Sequence, residues 1–380
     1  MADLISSRSG PGIGPVIASI PSAAPPLGLL VGDWVEVRPI EEILATLDAR
    51  GCLDALPFMP EMACYCGRRF QVFRTAHKTC DVVTYKSRRM ERAVHLTGLR
   101  CDGSGHDGCQ AHCLIFWKEA WLKRVDGPAP ASADAGAGGK TPATQQALDL
   151  LGRTARLAAE GAAEPRYRCQ ATETVPATAP LPWWDVRQYV EDVARGNLTL
   201  RDLLSTFAIH LLRAAQKLLR LNPYPSLRSL AGDPLPAERL DLQPGELVEI
   251  RSKAEIMATL GRRLSNRGLS FDVEMARLCG RTFRVLRRIE RIIDENTGRM
   301  LKMRHDCIML EGAVCSGIMS GSRVGCPKAV PFFWREIWLR RVTPNTAAAK
   351  APAPRVAPRA PSPAKEPAAS LWTNPHRSGR

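Results

Sequence analysis

A phrase of ten residues that occurs twice constrains the fold of this chain most strongly. The first copy, FWKEAWLKRV, spans residues 116–125, and the second copy, FWREIWLRRV, spans residues 333–342. Other short segments recur in the same order ahead of both copies. A chain with such an internal repeat is expected to fold as two similar units. We therefore predict a duplication that gives two modules.

The segments that recur predict mainly β-structure. Residues 32–38 (GDWVEVR) and 245–251 (GELVEIR) alternate apolar and polar side chains, which is typical of a half-buried strand. A short helical pattern follows each strand, and in the second copy Ser252 and Glu255 have the spacing of a capping box. A hairpin comes next, with its clearest turn at residues 295–299. Each module is therefore expected to be a small SH3-like barrel or a curled sheet.

The composition changes along the chain and predicts its domain organisation. The expected fold class is α+β, mainly β, with two duplicated modules joined by a helical connector and with disordered termini. The predicted regions, in order, are a disordered segment at 1–30, a cysteine-rich β module at 31–126, a linker with a short helix at 127–179, a helical connector at 180–235, a second cysteine-rich β module at 240–343 and a disordered tail at 344–380.

Charge and hydropathy bear on the partners of the chain. A formal net charge of +15 and a pI of about 9.6 favour polyanions such as nucleic acid, although scattered arginines alone also explain this surplus. No apolar run reaches the roughly 18 residues of a membrane span. The helical pattern at 200–221 is apolar over more than half its circumference. It is expected to pack internally or on a protein partner, with weak contact to a membrane surface as an alternative.

Twelve cysteines raise the question of disulfides or metal. The first thirty residues lack a basic segment followed by an uninterrupted apolar run, so no secretory signal is expected and the predicted location is cytoplasmic. In a reducing compartment, clustered cysteines hold metal more often than they form disulfides.

Alignment of the two copies identifies the candidate ligands. Cys66 matches Cys279, Cys101 matches Cys315, and Cys109 matches Cys326. The fourth thiol differs, since it comes from Cys80 or Cys113 in the first module and from Cys307 in the second. The predicted metal ligands are therefore Cys66, Cys80, Cys101, Cys109, Cys113, Cys279, Cys307, Cys315 and Cys326. Four thiols suit structural zinc, with an iron–sulfur cluster or buried thiols without metal as alternatives.

Histidine and tryptophan residues add further candidates. His106 lies in a Gly-rich loop between Cys101 and Cys109, where a metal ligand, a proton shuttle and a solvated loop residue are all open. Any catalysis is expected in the first module, where Asp102, Ser104 and Asp107 surround His106. The tryptophan pairs, which are four residues apart, are predicted to be core because alternation places them on one face of a strand: Trp117 and Trp121, Trp334 and Trp338.

A family resemblance rests on three phrases, CGRRFQVFRTAHKTCD, LRCDGSGHDGCQAHCLIFWKEAWLKRV and VCSGIMSGSRVGCPKAVPFFWREIWLRRV. They resemble a family of uncharacterised bacterial proteins with paired cysteine-rich modules. GDWVEVR and GELVEIR are similar to the first strand of SH3-like barrels, including the KOW type. Neither resemblance implies an activity.

Two functions from different classes therefore stay open, and the sequence does not decide whether the chain is an enzyme. The first is a zinc-binding protein that presents its modules to a protein partner or nucleic acid. The second is an iron–sulfur or open-metal-site enzyme or electron carrier, with its chemistry in the first module.

Overall fold

The structure is a computed structural model, and it describes residues 25–128, 142–157, 164–221, 226–232, 234–319 and 323–342. The predicted tail, residues 1–24 of the predicted N-terminal segment and residues 129–141 and 158–163 of the predicted linker lie outside these residues. The chain divides into two compact units. Unit 1 takes the described parts of Met1–Gly108 and Leu114–Leu198 together with Asp294–Arg299, and unit 2 takes the remainder.

Unit 1 is built mainly from short strands. Its elements are β1 (Trp34–Val37), α1 (Ile40–Leu44), β2 (Cys52–Leu53), β3 (Leu56–Pro57), β4 (Arg69–Thr75), β5 (Lys78–Cys80), β6 (Ser87–Arg89), β7 (Ala93–Leu96), β8 (Trp117–Lys118), β9 (Leu122–Val125), α2 (Pro142–Ala155), β10 (Arg156–Leu157), β11 (Arg166–Tyr167), β12 (Ala179–Pro180) and α3 (Arg187–Ala194). Short 3₁₀ helices cover Pro60–Tyr65, Ser104–His106 and Glu119–Trp121.

Unit 2 has the same mixture of short strands and few helices. Its elements are α4 (Leu200–Leu218), β13 (Leu247–Ile250), α5 (Lys253–Met257), β14 (Ser265–Asn266), β15 (Leu269–Ser270), α6 (Val273–Ala276), β16 (Thr282–Arg288), β17 (Arg291–Ile293), β18 (Met300–Lys302), β19 (Ile308–Val314), β20 (Pro331–Trp334) and β21 (Leu339–Arg341). A 3₁₀ helix covers Glu336–Trp338. The fold is thus mixed α and β with mostly strands, in agreement with the predicted class.

Each unit is centred on a five-stranded antiparallel sheet. The strand order is β8-β7-β4-β1-β9 in unit 1 and β20-β19-β16-β13-β21 in unit 2. β1 and β13 lie second from one edge of their sheets, and every other residue of each is buried, as the alternating sequence predicted. The pairing of β4 with β7 shifts register between Val72 and Arg74, and that of β16 with β19 shifts between Val285 and Arg287.

Tryptophan pairs fill the two cores. All four of these tryptophans are fully buried, so the prediction that they are core is confirmed. Phe58 makes an edge-to-face contact with Trp121 at 5.3 Å between ring centroids, and Phe271 contacts Trp338 in the same way at 5.5 Å. The reason given for their burial was wrong, because a 3₁₀ turn, not a continuous strand, lies between the members of each pair.

Local signals in the sequence also locate the helices. Ser252 accepts a hydrogen bond from the Glu255 N–H, and the Glu255 carboxylate accepts one from the Ser252 N–H, which confirms the capping box. The predicted turn at 295–299 lies between β17 and β18.

The predicted helical connector is divided, with α3 in unit 1 and α4 in unit 2. Leu29 is fully buried, so packed structure begins before residue 31.

α4 carries most of its apolar side chains on the surface. Leu203 is buried, whereas Leu204, Leu211 and Leu218 are 60%, 73% and 84% exposed. A surface helix normally buries its apolar stripe, so these side chains form an unusual apolar face. In the part of the chain that the structure describes, no helix combines the length and hydropathy needed to cross a membrane.

Candidate metal centre

One group of three metal-ligating side chains forms within the described residues. It consists of Glu61, Cys101 and His106, whose ligand atoms all lie within 4.8 Å of one another. All three residues belong to unit 1. Glu61 comes from the 3₁₀ helix Pro60–Tyr65, and the other two come from the Gly-rich loop after β7. Long-range packing therefore brings together residues that are 40 and 45 positions apart.

Glu61 is the centre of this group. Its side chain is 2% exposed, and its Oε1 atom accepts hydrogen bonds from the Cys101 thiol at 3.0 Å and from His106 Nδ1 at 3.1 Å. Burial alone would raise the pKa of Glu61, but the hydrogen bond and charge of His106 outweigh it, and the pKa is lowered. Its second oxygen, Oε2, is buried and has no hydrogen-bond partner among the described residues. A buried acceptor without a partner is costly, so this oxygen is suited to a further ligand.

His106 is buried, so its interpretation as a solvated loop residue is wrong. Its side chain is 1% exposed, and its Nε2 atom lies 3.0 Å from the carbonyl oxygen of Arg168. Both ring nitrogens face oxygen acceptors, so a protonated ring can donate a hydrogen bond from each of them. Burial would lower the pKa of His106, but the hydrogen bond to Glu61 raises it overall. With a metal on Nδ1, the Nε2–H would keep donating to Arg168, which is how a backbone carbonyl orients a ligating histidine.

The backbone of the loop explains how His106 reaches the interior. Gly103 has φ +79° and Asp107 has φ +47°, so left-handed residues flank the 3₁₀ turn that contains His106. The Asp107 carboxylate accepts a hydrogen bond from the Tyr167 hydroxyl at 2.6 Å and lies 3.2 Å from Arg156. Asp102 accepts hydrogen bonds from the Ser104 N–H and hydroxyl. The polar residues predicted for catalysis therefore hold the loop in place.

Gly105 leaves the space that the Glu61 carboxylate occupies. A β-carbon at residue 105 would lie 2.3 Å from Glu61 Oε2 and 3.1 Å from the ring of Pro60. A β-carbon does not approach a non-bonded oxygen to 2.3 Å, so a side chain here must displace the carboxylate. The glycine is thus required by close approach to the site.

The donor set is suited to zinc. Carboxylate, thiolate and imidazole are the three ligand types that Zn²⁺ takes, and hard cations such as Ca²⁺ and Mg²⁺ avoid thiolate. An iron–sulfur cluster needs four ligands that are mostly thiolates, whereas this group supplies one.

In unit 2 the residue that corresponds to Glu61 is Glu274, and its carboxylate has different hydrogen-bond donors. Glu274 is 2% exposed and follows Phe271 as Glu61 follows Phe58. Its carboxylate accepts hydrogen bonds from the Ser316 hydroxyl at 2.7 Å and from the Met319 N–H at 2.5 Å. Protein donors therefore occupy both oxygens, and no group of three ligands includes Glu274 in the residues the structure describes.

Of the nine predicted thiol ligands, the structure brings Cys101 into this group. Burial raises the pKa of Cys66 to about 12, that of Cys279 to about 11 and that of Cys307 to about 12. Cys80 lies on β5, and Cys109 and Cys113 group with unit 2, where the Cys109 sulfur accepts a hydrogen bond from the Ile293 N–H at 3.3 Å. The remaining two, Cys315 and Cys326, lie in unit 2. The four-thiol sets stay a prediction.

Sequence reasoning missed Glu61 as a ligand. A signal was available, because Phe-x-x-Glu-Met occurs in both copies, at residues 58–62 and 271–275. An acidic residue that recurs between two buried apolar positions indicates a glutamate with an interior partner.

Comparison with known proteins gives no further guide to this site. No protein-family model, curated protein or solved structure matches the chain. Its function must therefore be argued from the geometry of its own residues.

Proposed function

We propose that unit 1 binds one zinc ion through Glu61, Cys101 and His106, and that the chain is a metal-stabilised, non-enzymatic binding protein. The observation that carries this proposal is the convergence of three ligand types within 4.8 Å in a buried site. Glu61 Oε2, buried without a hydrogen-bond partner among the described residues, supports it.

The exchange of metal for protons keeps the buried charge constant. Without metal the group holds a carboxylate, an imidazolium and a thiol, whose charges sum to zero. Zinc binding releases one proton from His106 and one from Cys101, and the carboxylate and thiolate then balance the charge of Zn²⁺. Neither state leaves an uncompensated charge in the interior, which is the condition for burying such a group.

Zinc at this place would join two separate segments of unit 1. Glu61 lies on a 3₁₀ helix whose Met62 is part of the core, and His106 lies on a loop held mainly by polar contacts. A shared ion would fix the loop to the core, as metals do in small domains. This supports a structural role for the metal.

The two units are, in our interpretation, copies of one SH3-like module. Equal strand order and matching register shifts in the two sheets support this. The copies would then have diverged at the metal site, because Glu274 has protein donors where Glu61 has Cys101 and His106. We therefore expect one zinc ion per chain.

A protein is the partner that we favour. The exposed leucines of α4 support an apolar contact, which a protein surface provides, and contact with a membrane surface is the weaker alternative. The net charge of +15 supports nucleic acid as another candidate. A cytoplasmic location fits the proposal, since a reducing compartment keeps Cys101 available as a ligand.

One observation favours a second function, an open-site metal enzyme. Three protein ligands leave one position of tetrahedral zinc for water, as in catalytic sites. In that case removal of zinc abolishes an activity and leaves the unfolding temperature almost unchanged. In a structural site, removal lowers the unfolding temperature.

The test of the proposal is the zinc content of the full-length protein after chelation and reconstitution. We expect one equivalent in the wild type and in Cys64→Ser, which removes an exposed thiol from the same 3₁₀ helix. Cys101→Ser should hold less than about a tenth of an equivalent at the same free zinc, since thiolate is a principal ligand. Equal zinc in the two variants would refute the assignment.

A further inference from the structure

Unit 2 contains a cleft of about 470 Å³ far along the chain from the metal ligands. Its volume falls in the range of sites for small molecules. The side chains that line it are a mixture of charged and apolar groups: Ala237, Glu238, Arg239, Arg267, Arg288, Ile289, Glu290, Met303, Arg304, His305, Asp306 and Cys307.

Partners outside the cleft neutralise two of its charged side chains. Glu238 pairs with Arg251 at 2.7 Å, and Arg288 pairs with the buried Glu336. Three arginines then remain against the carboxylates of Glu290 and Asp306. Within the described residues, Arg239 and Arg304 form no ion pair, and the Arg267 guanidinium donates to the His305 ring at 2.7 Å. The cleft therefore presents guanidinium groups available to an anion.

A buried arginine that is hydrogen-bonded to two residues of the cleft lining adds positive charge. Arg335 is 6% exposed, and its guanidinium donates to the backbone carbonyls of Asn266, Arg267 and Asp306. Among the residues with described side chains, no carboxylate lies within ion-pair distance of it. Burial lowers the pKa of the neighbouring His305, and the charges of Arg267, Arg335 and Arg304 lower it further.

Unit 1 has an acidic residue, Asp54, where unit 2 has Arg267 in the lining of the cleft. The repeated phrase matches Lys118 with Arg335, and the β2–β3 turn matches Asp54 with Arg267. Lys118 donates to the Asp54 carboxylate at 2.9 Å, so its charge is neutralised within the unit. Unit 2 has Arg267 at the position of Asp54, so a basic side chain stands there in place of an acidic one.

In unit 1 the matching region is also covered. The residues that match Arg288 and Glu290 are Thr75 and His77. The Asn197 side chain exchanges hydrogen bonds with the Thr75 backbone N–H and C=O, both at 2.9 Å, and Asp192 of α3 lies 3.2 Å from His77. Unit 1 thus fills with its own helix a region that lines an open cleft in unit 2.

We propose that this cleft binds a small phosphate monoester, held by the guanidinium groups of Arg239, Arg267 and Arg304. Guanidinium forms paired, charge-assisted hydrogen bonds with phosphate oxygens. The phosphate fills a small part of the cleft, and the half-buried Met303 lies where it can contact the organic part of the ligand. No residue is shared with the zinc site, so this proposal does not depend on it.

The experiment is calorimetric titration of the full-length protein with AMP, adenosine and inorganic phosphate. We expect AMP to bind, phosphate to compete with it, and adenosine not to bind. Arg304→Gln should weaken AMP binding by about tenfold or more, because it removes a charged hydrogen-bond donor. Arg263→Gln is the matched control, since it removes an exposed arginine of the same unit that does not line the cleft. Arg304 is itself exposed, so its variant should unfold at the wild-type temperature.

Three outcomes would overturn the proposal. They are equal binding of AMP and adenosine, equal affinities for the two arginine variants, and tight binding of a single-stranded oligonucleotide that AMP does not displace. The last outcome would assign the arginines to a nucleic-acid surface.

Discussion

The Glu61 carboxylate and the α-carbon of Gly105 are packed so closely that no side chain fits between them. A β-carbon at residue 105 would lie 2.3 Å from Glu61 Oε2. The loop that carries His106 can approach Glu61 because residue 105 is glycine. This one contact therefore couples the identity of a loop residue to the geometry of the candidate metal centre.

Gly105→Ala should disrupt zinc binding although every ligand is retained. Displacement of the carboxylate should weaken zinc affinity by about 10- to 100-fold, as loss of an orienting contact does, and overpacking should destabilise unit 1 by about 1–3 kcal/mol. Gly152→Ala is the control, since its β-carbon meets open space on α2. Competition with a chromogenic zinc chelator measures the affinity. Wild-type affinity in Gly105→Ala would show that Glu61 is not a ligand.

The two glutamates in matching positions should respond differently to the same substitution. Glu61→Gln removes an anionic ligand, so zinc affinity should fall at least about 100-fold, the upper end for loss of a contact outside the ligand shell. Glu274→Gln should leave zinc at one equivalent and destabilise unit 2 by about 1–3 kcal/mol, because an amide NH₂ would face the Ser316 hydroxyl or the Met319 N–H. Mass spectrometry of metal content and hydrogen exchange of each unit separate these effects. Zinc loss in Glu274→Gln would contradict the assignment to unit 1.

The parts of the fold that could be predicted from sequence have local causes. The alternation in β1 and β13, the capping box at Ser252 and the turn at 295–299 depend on residues within a few positions of one another. Cys101 was also predicted as a ligand, because its recurrence is visible without any structure. The predicted partners of Cys101 were other thiols, since cysteine spacing was the available signal.

Glu61 and the burial of His106 could not be read in the same way. A glutamate normally indicates an exposed position, and the recurrence of Glu61 as Glu274 indicates an interior partner without identifying it. His106 is in a loop of glycines and polar residues, which predicts solvent exposure, and it is buried because left-handed residues at 103 and 107 turn the loop inward. Both Glu61 and His106 are buried because two segments about 45 residues apart in the chain contact each other.

The contact between Lys78 and Asp192 should be essential for packing α3 against the strands of unit 1. Both side chains are at most 1% exposed, and Asp192 also lies 3.2 Å from His77. Asp192→Asn should destabilise unit 1 by about 3–5 kcal/mol, since it leaves the Lys78 charge buried without its counterion. Glu42→Gln, which breaks the exposed pair with Arg38, should cost less than about 1 kcal/mol. Hydrogen exchange of the amides of unit 1 measures both, because a chain with two units need not unfold in one step. The double variant Lys78→Met with Asp192→Leu should recover most of the loss, and a failure to do so would mean that the pair has a role beyond charge compensation.

The stability of unit 2 should depend on pH through Glu336. Burial alone would raise the pKa of this carboxyl, but the N–H groups of Leu242 and Leu240 and the Arg288 guanidinium outweigh it and lower the pKa. The unfolded chain then binds the proton more readily, so the stabilisation is present above the ordinary pKa of about 4.3 and is lost as the pH falls below it.

Glu336→Gln should therefore reduce stability at pH 7 by about 2 kcal/mol, and the difference from wild type should shrink as the pH falls below about 4. Hydrogen exchange is the suitable measurement, because a chain with two units need not unfold in one step. The amides of Leu240 and Leu242, which donate to Glu336, should exchange faster in the variant at pH 7 and at nearly the same rate as wild type in acid, after correction for intrinsic exchange. A difference that is independent of pH would show that packing, and not the charge of Glu336, stabilises this part of unit 2.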